Sequence, residues 1–410
     1  MNTPLIIYTE KITPRIDYIF NFIFRTFGGI SFQYIHDLKE FKTMTIPKIN
    51  FSNHQIVDEI NFRVDNILLE NGINQAIDYY SLQPIGQCFY WLSRYEEYVA
   101  NPQQFDQHNR FLGSELDYSQ PIVDQICYEI QKQIQTKYPD FKFKKRSFKQ
   151  INTHDVDFAW KYKYHSPQII LGSLVKKMLK GEFKLLKQQI QVLIGKRNDP
   201  YDQYEYYRTL SHQHGVESIF FWLLGNYNEF DKNHSHHNVK QKKLIQKISS
   251  WAEIGIHPSY RSNFNTDSLT LEIKRLENIL DRPIRKSRQH FIKLNFPHTY
   301  QQLLKNGIQE DYTMGFAHTI GFRAGTVTPF QWFDLPNNQQ TLLTIYPFVA
   351  MDVTLKNYLQ FTPKEAIQEL HGLKEKTKKV NGTFITLFHQ SNVVDEWESW
   401  KKVYESLFHD

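Results

Sequence analysis

From about residue 147 onward, strand-like and helix-like segments alternate along the chain, and this alternation most constrains the fold. The run at 218–225 (SIFFWLLG) is continuously apolar, as expected of a strand buried in a parallel sheet. Helical patterns such as 240–251 and 363–378 separate the strand-like runs. Strands that alternate with helices form βα units and a mostly parallel sheet or barrel. We therefore predict an α/β fold for this part of the chain.

Polar side chains stand at the ends of three of these predicted strands. In the stretch THDVD, Asp155 and Asp157 share one face because side chains alternate along an extended chain. His257 and His389 end two later strands. In a barrel, the carboxyl ends of the strands form one rim, where active sites are built. The set suits a shared metal site, or a base beside a metal ligand. Turn and cap positions are the alternative explanation for the two aspartates.

The chain of 410 residues is long enough for two domains. The basic, polar stretch at 137–149 is the best candidate for a boundary. We predict an N-terminal α+β domain at 1–145, with no assigned role, and a second domain at 146–410. The sequence does not indicate an oligomeric state.

Composition narrows the functional class. The formal charge of +6 is modest for this length, and we expect no nucleic-acid partner. The aromatic fraction of 15% suits a sugar-binding cleft, since ring faces pack on the C–H faces of sugars. Two cysteines without a CxxC motif predict no disulfide framework and a reducing compartment. Because residues 1–10 lack a secretory pattern and no apolar run reaches about 20 residues, we expect a cytoplasmic protein without a transmembrane segment.

The segment 161–197 is unusually basic. Its lysines alternate with leucines and valine, which predicts an amphipathic helix or a helix pair interrupted near Gly181. We expect a solvated helix whose apolar face packs on the barrel. Peripheral contact with a membrane surface, or with an anionic polymer, is the alternative.

Residues 147–410 resemble the polysaccharide deacetylase family, the carbohydrate esterases with a chitooligosaccharide deacetylase homology domain. The Asp-x-Asp stretch is similar to a variant of the first family motif, and Leu387-Phe388-His389 is similar to the last. The resemblance implies a distorted (β/α) barrel. It also implies that Asp155 is the general base, Asp157 a metal ligand and His389 the general acid.

The second and third motifs of this family are matched less completely. The second carries two histidines four residues apart; His257 matches the first, but Arg261 occupies the other position. Arg288 matches the arginine of the third motif, which holds the catalytic carboxylate. From need and spacing we infer that His290 replaces the missing ligand, with His154 as another candidate.

The whole chain resembles a bacterial subgroup of this family with an extra N-terminal domain. The stretches that carry this resemblance are 89–98 (FYWLSRYEEY), 153–157, 287–290 (SRQH), 321–326 (GFRAGT) and 351–352 (MD). We assign Arg323 and Tyr260 to substrate binding. The alternative for Arg323 is a structural hydrogen bonder in a glycine-bracketed loop.

The resemblance implies a metal-dependent hydrolase that removes N-acetyl, or O-acetyl, groups from a carbohydrate. Zinc is the expected ion for a mixed His/Asp site, and cobalt or nickel would fit the same ligands. Two alternatives remain open. In the first, the protein is a catalytically decayed carbohydrate-binding protein, as the arginine at position 261 suggests. In the second, it is a metal-free amidohydrolase on the same fold. The sequence does not identify the glycan.

Overall fold

A computed structural model of the chain describes residues 4–409. The N-terminal part contains a four-stranded sheet in the order β2-β1-β3-β4, and every pairing in it is parallel. Its strands are β1 (Leu5–Tyr8), β2 (Phe32–Ile35), β3 (Lys48–Phe51) and β4 (Asn61–Phe62). Its helices are α1 (Pro14–Phe20, continued by a π-helical segment Asn21–Phe27), α2 (Leu38–Thr43), α3 (Asn66–Leu69), α4 (Pro84–Leu92), α5 (Tyr95–Val99) and α6 (Ile122–Lys137). Because this sheet is wholly parallel, α/β describes it, and the α+β prediction is corrected.

A nine-stranded sheet follows in the order β10-β11-β9-β8-β7-β6-β5-β13-β12. Its strands are β5 (Lys149–Val156), β6 (Glu217–Trp222), β7 (Glu253–Ile256), β8 (Lys286–Ser287), β9 (Glu310–Asp311), β10 (Phe330–Asp334), β11 (Gln339–Ile345), β12 (Ala350–Met351) and β13 (Thr383–His389). All pairings are parallel except that of β10 with β11. The α/β class is thus confirmed. Within residues 4–409 no pairing joins the edge strands β10 and β12, and closure of this sheet into a distorted barrel stays a prediction.

Within the described residues, eight α-helices lie between or after the strands of the large sheet. They are α7 (Pro167–Leu179), α8 (Phe183–Leu193), α9 (Tyr204–His214), α10 (Val239–Ile248), α11 (Thr266–Leu280), α12 (His298–Lys305), α13 (Pro363–Lys379) and α14 (Lys401–Ser406). No helix in the described part of the chain is both long enough and apolar enough to cross a bilayer.

The alternation of side chains along β5 sets the position of its polar end. Ile151 belongs to a buried cluster with Phe221 and Leu387 of the neighbouring strands. His154 points to the opposite face, where its ring stacks on Phe220 with centroids 4.6 Å apart. Because alternate residues share a face, Asp155 lies on the same side of the strand as Ile151.

The GFRAGT segment joins the N-terminal part to the large sheet. Phe322 donates its backbone N–H to the carbonyl of Tyr118, and Val123 donates to the carbonyl of Gly325, both at 2.8 Å. Gly321 has φ +128°, and a Cβ there would lie 2.5 Å from the Tyr118 carbonyl oxygen. Glycine is therefore required at this position by both conformation and space.

Arg323, in the same segment, is 1% exposed. Its Nε and Nη2 donate to the Glu97 carboxylate at 3.0 and 2.7 Å, and its Nη1 donates to the Gly315 carbonyl at 2.8 Å. This side chain has almost no surface with which to contact a substrate. The assignment of Arg323 to substrate binding is corrected accordingly, and the structural alternative fits.

An insertion that contains α7 and α8 leaves the sheet directly after Asp157. Its base is fastened by Asp199, whose carboxylate accepts the backbone N–H groups of Lys161, Tyr162 and Lys163 at 2.8 to 3.0 Å. The two helices confirm the prediction of a pair interrupted near Gly181. No residue of α7 is buried, so the expectation that its apolar face packs on the barrel is wrong.

Candidate active site

Three side chains from the carboxyl ends of strands in the large sheet converge on one point. Asp157 follows β5, His257 follows β7 and His290 lies just after β8. The Oδ1 atom of Asp157 lies 3.6 Å from Nε2 of His257 and 3.7 Å from Nε2 of His290. One potential ligand atom from each residue falls within 4.8 Å of the other two. Strand order alone brings together residues that are far apart in the sequence.

Two of the three facing atoms have no hydrogen-bond partner within the described residues. Both Oδ1 of Asp157 and Nε2 of His257 are buried without a hydrogen bond. The other ring nitrogen of His257, Nδ1, donates to the backbone carbonyl of Arg288 at 2.6 Å, which leaves the lone pair on Nε2 facing Asp157. Burial lowers the pKa of His257 to about 3, so its ring is neutral.

The donor set fits a divalent cation. Buried polar atoms without partners are uncommon and call for an explanation. Two ligands bound to zinc at about 2.1 Å in a tetrahedral arrangement lie roughly 3.4 Å apart, close to the separations of Asp157 from the two histidines. Two imidazoles and a carboxylate with an open side are the donors of catalytic zinc sites.

His290 is held in place by Asp231. Its Nδ1 lies 2.9 Å from Oδ1 of this carboxylate, which is fully buried. Burial lowers the pKa of His290, but Asp157 and Asp231 outweigh it, and the net shift is upward. Asp231 also accepts the backbone N–H groups of Tyr260 and Arg261. The side chain of Arg261 is exposed, so the position of the missing family histidine faces solvent.

Asp155 lies beside this group and is buried. Its Oδ2 is 3.6 Å from Nε2 of His257, and its Oδ1 is 3.8 Å from Nη1 of Arg288. Burial raises the pKa of Asp155, and the positive charge of Arg288 opposes that rise without cancelling it. A carboxylate with a raised pKa is a stronger base than an exposed one.

Arg288 is a fully buried cation beside this carboxylate. Its Nη2 donates to Oγ1 of Thr153 at 2.7 Å, and the guanidinium lies 5.0 and 5.2 Å from the ring centres of Phe221 and Phe348. These contacts fix the direction of the charge. Arg288 therefore occupies the position from which it can hold Asp155.

His389 stands next to Asp155 across the sheet, because the two residues are paired in the parallel register of β13 and β5. Its Nδ1 lies 2.9 Å from Oδ1 of Asp352, and its backbone N–H donates to the other oxygen of that carboxylate at 2.8 Å. Burial lowers the pKa of His389, but Asp352, Asp157 and Asp155 together raise it to about 10. The ring is therefore an imidazolium at neutral pH and can donate a proton.

Sequence reasoning missed the supporting residues. Asp231 lies in a polar loop after β6, with no spacing signal that ties it to His290. Asp352 belongs to the stretch 351–352 that resembles the bacterial subgroup, but that resemblance implies no role for it. His154, the other candidate ligand, points away to the opposite face, and burial lowers its pKa to about 3.

Comparisons with known proteins bear on separate parts of the chain. Residues 5–139 match a family of unknown function, DUF7033. No curated protein matches the sequence. The family description names no activity, so only the contacts of this N-terminal third can indicate its role.

The similar solved structures include polysaccharide deacetylases and a pseudoenzyme. A candidate polysaccharide deacetylase from Mycobacterium smegmatis shares 14% identity, with 64% of this chain and 84% of that chain covered and a TM-score of 0.41. A polysaccharide deacetylase from Bacillus cereus shares 10%, covering 64% and 87%, with a TM-score of 0.30. A pseudoenzyme of the CE4 family from Bacillus anthracis shares 12%, covering 64% and 61%, with a TM-score of 0.31. At such identities, the candidate site has to be judged on the geometry of this chain.

An aromatic patch adjoins the site and includes a residue of the matched N-terminal region. We define the patch as His108, Phe230, Tyr260, Phe264 and Phe291. Tyr260 stacks on Phe230 with ring centres 4.5 Å apart, and His108 lies 5.0 Å from Phe291. The ring of His290 is 4.7 Å from Phe291, which connects the patch to the candidate ligands.

The patch offers aromatic surface to solvent. Phe230 is 39% exposed and Phe264 is 68% exposed. Lys293 contacts the patch, because its Nζ donates to the backbone carbonyl of His108 at 2.5 Å. The N-terminal region thus contributes a ring to the surface that borders the candidate site.

Proposed function

We propose that this protein is a metal-dependent hydrolase that removes an N-acetyl, or O-acetyl, group from a sugar or polysaccharide precursor. The observation that carries the proposal is the convergence of Asp157, His257 and His290, whose facing atoms include two that are buried and unpaired. Asp155 and His389 flank this group, and we assign Asp155 to accept a proton and His389 to donate one. Zinc is the proposed ion, and cobalt or nickel would suit the same ligands.

Asp157, His257 and His290 would hold the cation on the open rim of the sheet. A divalent cation bound there would lower the pKa of a water molecule and polarise the acetyl carbonyl. Asp155 accepts the proton of the attacking water. Arg288 keeps Asp155 ionised and directed, because its charge opposes the effect of burial on that carboxylate.

His389 supplies the proton that the leaving group needs. An amide nitrogen leaves as an amine only if it is protonated, and an imidazolium beside the reacting carbon can provide that proton. Asp352 holds the ring through Nδ1, so the Nε2 proton is the one available for transfer. Asp155 and His389 are thus assigned as base and acid on neighbouring strands.

The aromatic patch is the proposed platform for the sugar. Aromatic faces pack on the C–H faces of pyranose rings. Tyr260 and His108 contact each other and Phe291, and Phe291 contacts His290. Tyr260 therefore keeps its assignment to substrate binding. His108 extends the binding surface into the N-terminal region.

The test combines metal content with product release from the full-length protein. We expect about one divalent ion per chain by elemental analysis, and acetate release from a panel of N-acetylated oligosaccharides. Asp155→Asn should abolish turnover while metal stays bound, and Asp157→Asn should lose the metal. Loss of metal in Asp155→Asn would instead reverse the roles of the two aspartates.

Other outcomes would favour the alternatives. If the protein binds oligosaccharides but releases no acetate across the panel, it is a carbohydrate-binding protein on this scaffold. Amide hydrolysis that survives prolonged chelation would favour a metal-free amidohydrolase.

A further inference from the structure

The insertion helices α7 and α8, here called the hairpin, present an unusual apolar surface. On α7, Leu171, Val175, Met178 and Leu179 recur at positions i, i+4, i+7 and i+8, which places them on one face. Leu171 is 63% exposed and Leu179 is 79% exposed. Phe183 and Ile190 of α8, and Ile194 directly after it, are exposed as well. Contiguous exposed apolar surface of this kind marks an interaction site.

The longer segment 161–197, which contains the hairpin, carries more positive charge than the net charge of the whole chain. Residues 161–197 contain nine lysines and arginines and one glutamate, a formal charge of +8. The complete chain carries +6, so all other residues together carry −2. Lys176 of α7 and Lys180, directly after this helix, lie next to the apolar stripe and line the same open groove as Leu171, Val175 and Leu179.

We propose that the hairpin docks the protein onto an anionic lipid membrane surface. A helix that combines an exposed apolar stripe with flanking lysines lies in the plane of a bilayer interface, where apolar side chains enter the acyl boundary and ammonium groups meet the headgroups. This proposal does not depend on the hydrolase activity.

Other occupants fit the surface less well. A second copy of the chain would bring two segments of +8 together, and lysine is depleted at protein–protein interfaces. An anionic polymer would neutralise the lysines but would leave Leu179 and Phe183 in water. An anionic bilayer satisfies both features together.

The hairpin is connected firmly to the candidate site. The carboxylate of Asp199 binds the base of the insertion by accepting the three backbone N–H groups described above. Farther along, the ring of His165 stacks on that of His234 at 4.2 Å. Because the insertion begins directly after Asp157, docking through the hairpin would hold the carboxyl edge of β5 at a defined position relative to the membrane.

The test is co-sedimentation of the full-length protein with vesicles of phosphatidylcholine containing phosphatidylglycerol, and with vesicles of phosphatidylcholine alone. We expect binding to the anionic vesicles that weakens with added salt. The double variant Lys176→Gln/Lys180→Gln should lower the partition coefficient about 25-fold, at roughly fivefold per lysine. Leu179→Ser/Phe183→Ser should lower it at least about tenfold without a change in charge.

Matched controls use equally exposed residues elsewhere. Leu342→Ser, at a position 80% exposed on β11, and Lys364→Gln on α13 should bind as the unaltered protein does. Absence of binding to anionic vesicles, or unchanged binding of both hairpin variants, would overturn the proposal. So would a concentration-dependent dimer in analytical ultracentrifugation that Leu179→Ser/Phe183→Ser abolishes, because the stripe would then be a protein interface.

Discussion

His290 and Asp231 form a buried pair in which Nδ1 of the ring lies 2.9 Å from a carboxylate oxygen. The pair directs the opposite nitrogen, Nε2, toward Asp157. This carboxylate–histidine arrangement is the one by which proteins orient metal-ligating imidazoles. In the proposed function His290 is the third donor, because the side chain of Arg261 is exposed to solvent.

Asp231→Asn should weaken metal binding without removing a direct ligand. The carboxylate that orients His290 is lost, and loss of such an outer partner typically costs about 10- to 100-fold in metal affinity. Competition with a chelator of known affinity measures the effect. Asp267→Asn, at an exposed position in the first turn of α11, is the control and should be unchanged. Equal affinities for both variants would remove Asp231 from the site.

The metal content of His290→Gln and Arg261→His distinguishes His290 from the usual motif position as the metal ligand. We expect His290→Gln to lose the metal because it removes one of the three converging donors. Arg261→His should leave the metal content unchanged, since that side chain faces solvent. Elemental analysis of both variants decides the matter. Metal retained in His290→Gln and gained in Arg261→His would restore the motif position as the ligand.

The rate should depend on the proton of His389. Its pKa is raised to about 10, so the ring is protonated at neutral pH and deprotonates as pH rises through 10. A divalent cation bound by Asp157 would oppose the carboxylate charges that raise this pKa, so we expect kcat for acetate release to fall on the alkaline side, between the ordinary value of 6.5 and about 10. Asp352→Asn removes the strongest charge that raises this pKa, and the alkaline limb should move to lower pH. An unmoved limb would assign it to another group.

The same ionisation should affect stability with a defined sign. The folded-state pKa of His389 lies above its ordinary value of 6.5. Its contribution to the free energy of unfolding is therefore fully present below about pH 6.5 and is lost as pH rises through about 10. Chemical denaturation at pH 6 and pH 10 should show a smaller difference for Asp352→Asn than for the unaltered protein.

Arg323→Met should destabilise the fold and leave the KM for substrate unchanged. The substitution leaves the buried Glu97 with Arg94 as its cationic partner, and breaking a buried pair costs about 3 to 5 kcal/mol. Guanidinium denaturation measures the loss. Arg208→Met breaks an exposed pair with Glu205 and should cost less than about 1 kcal/mol. A raised KM with unchanged stability would return Arg323 to substrate binding.

His108→Ala should weaken sugar binding although the residue belongs to the N-terminal region. Loss of an aromatic contact worth about 0.5 to 1.5 kcal/mol raises KM roughly 2- to 12-fold. We expect kcat to stay the same, because His108 contacts the patch and none of the proposed catalytic groups. Steady-state kinetics on the best oligosaccharide measures both constants. His212→Ala, at an exposed position on α9, is the control, and equal effects would exclude a specific role.

Part of the site could be predicted from local pattern. Side-chain alternation along β5 places Asp155 and Asp157 on one face, and the carboxyl ends of parallel strands bring His257 and His389 to the same rim. These relationships depend on residues close in sequence and on a general property of parallel sheets. These relationships could therefore be predicted from the sequence alone.

The remaining features depend on partners that are distant in the chain. Strand β8 has only two residues, too few for a pattern, so the sequence could suggest His290 only by need and by its closeness to Arg288. Asp231 reaches His290 across 59 positions, and Arg323 reaches Glu97 across 226. The apolar stripe of α7 looks in the sequence like any core-facing stripe, and only packing leaves it in solvent. Sequence periodicity determines which face of an element is apolar or polar, whereas tertiary packing decides what that face meets, because contact partners are set by how the elements assemble.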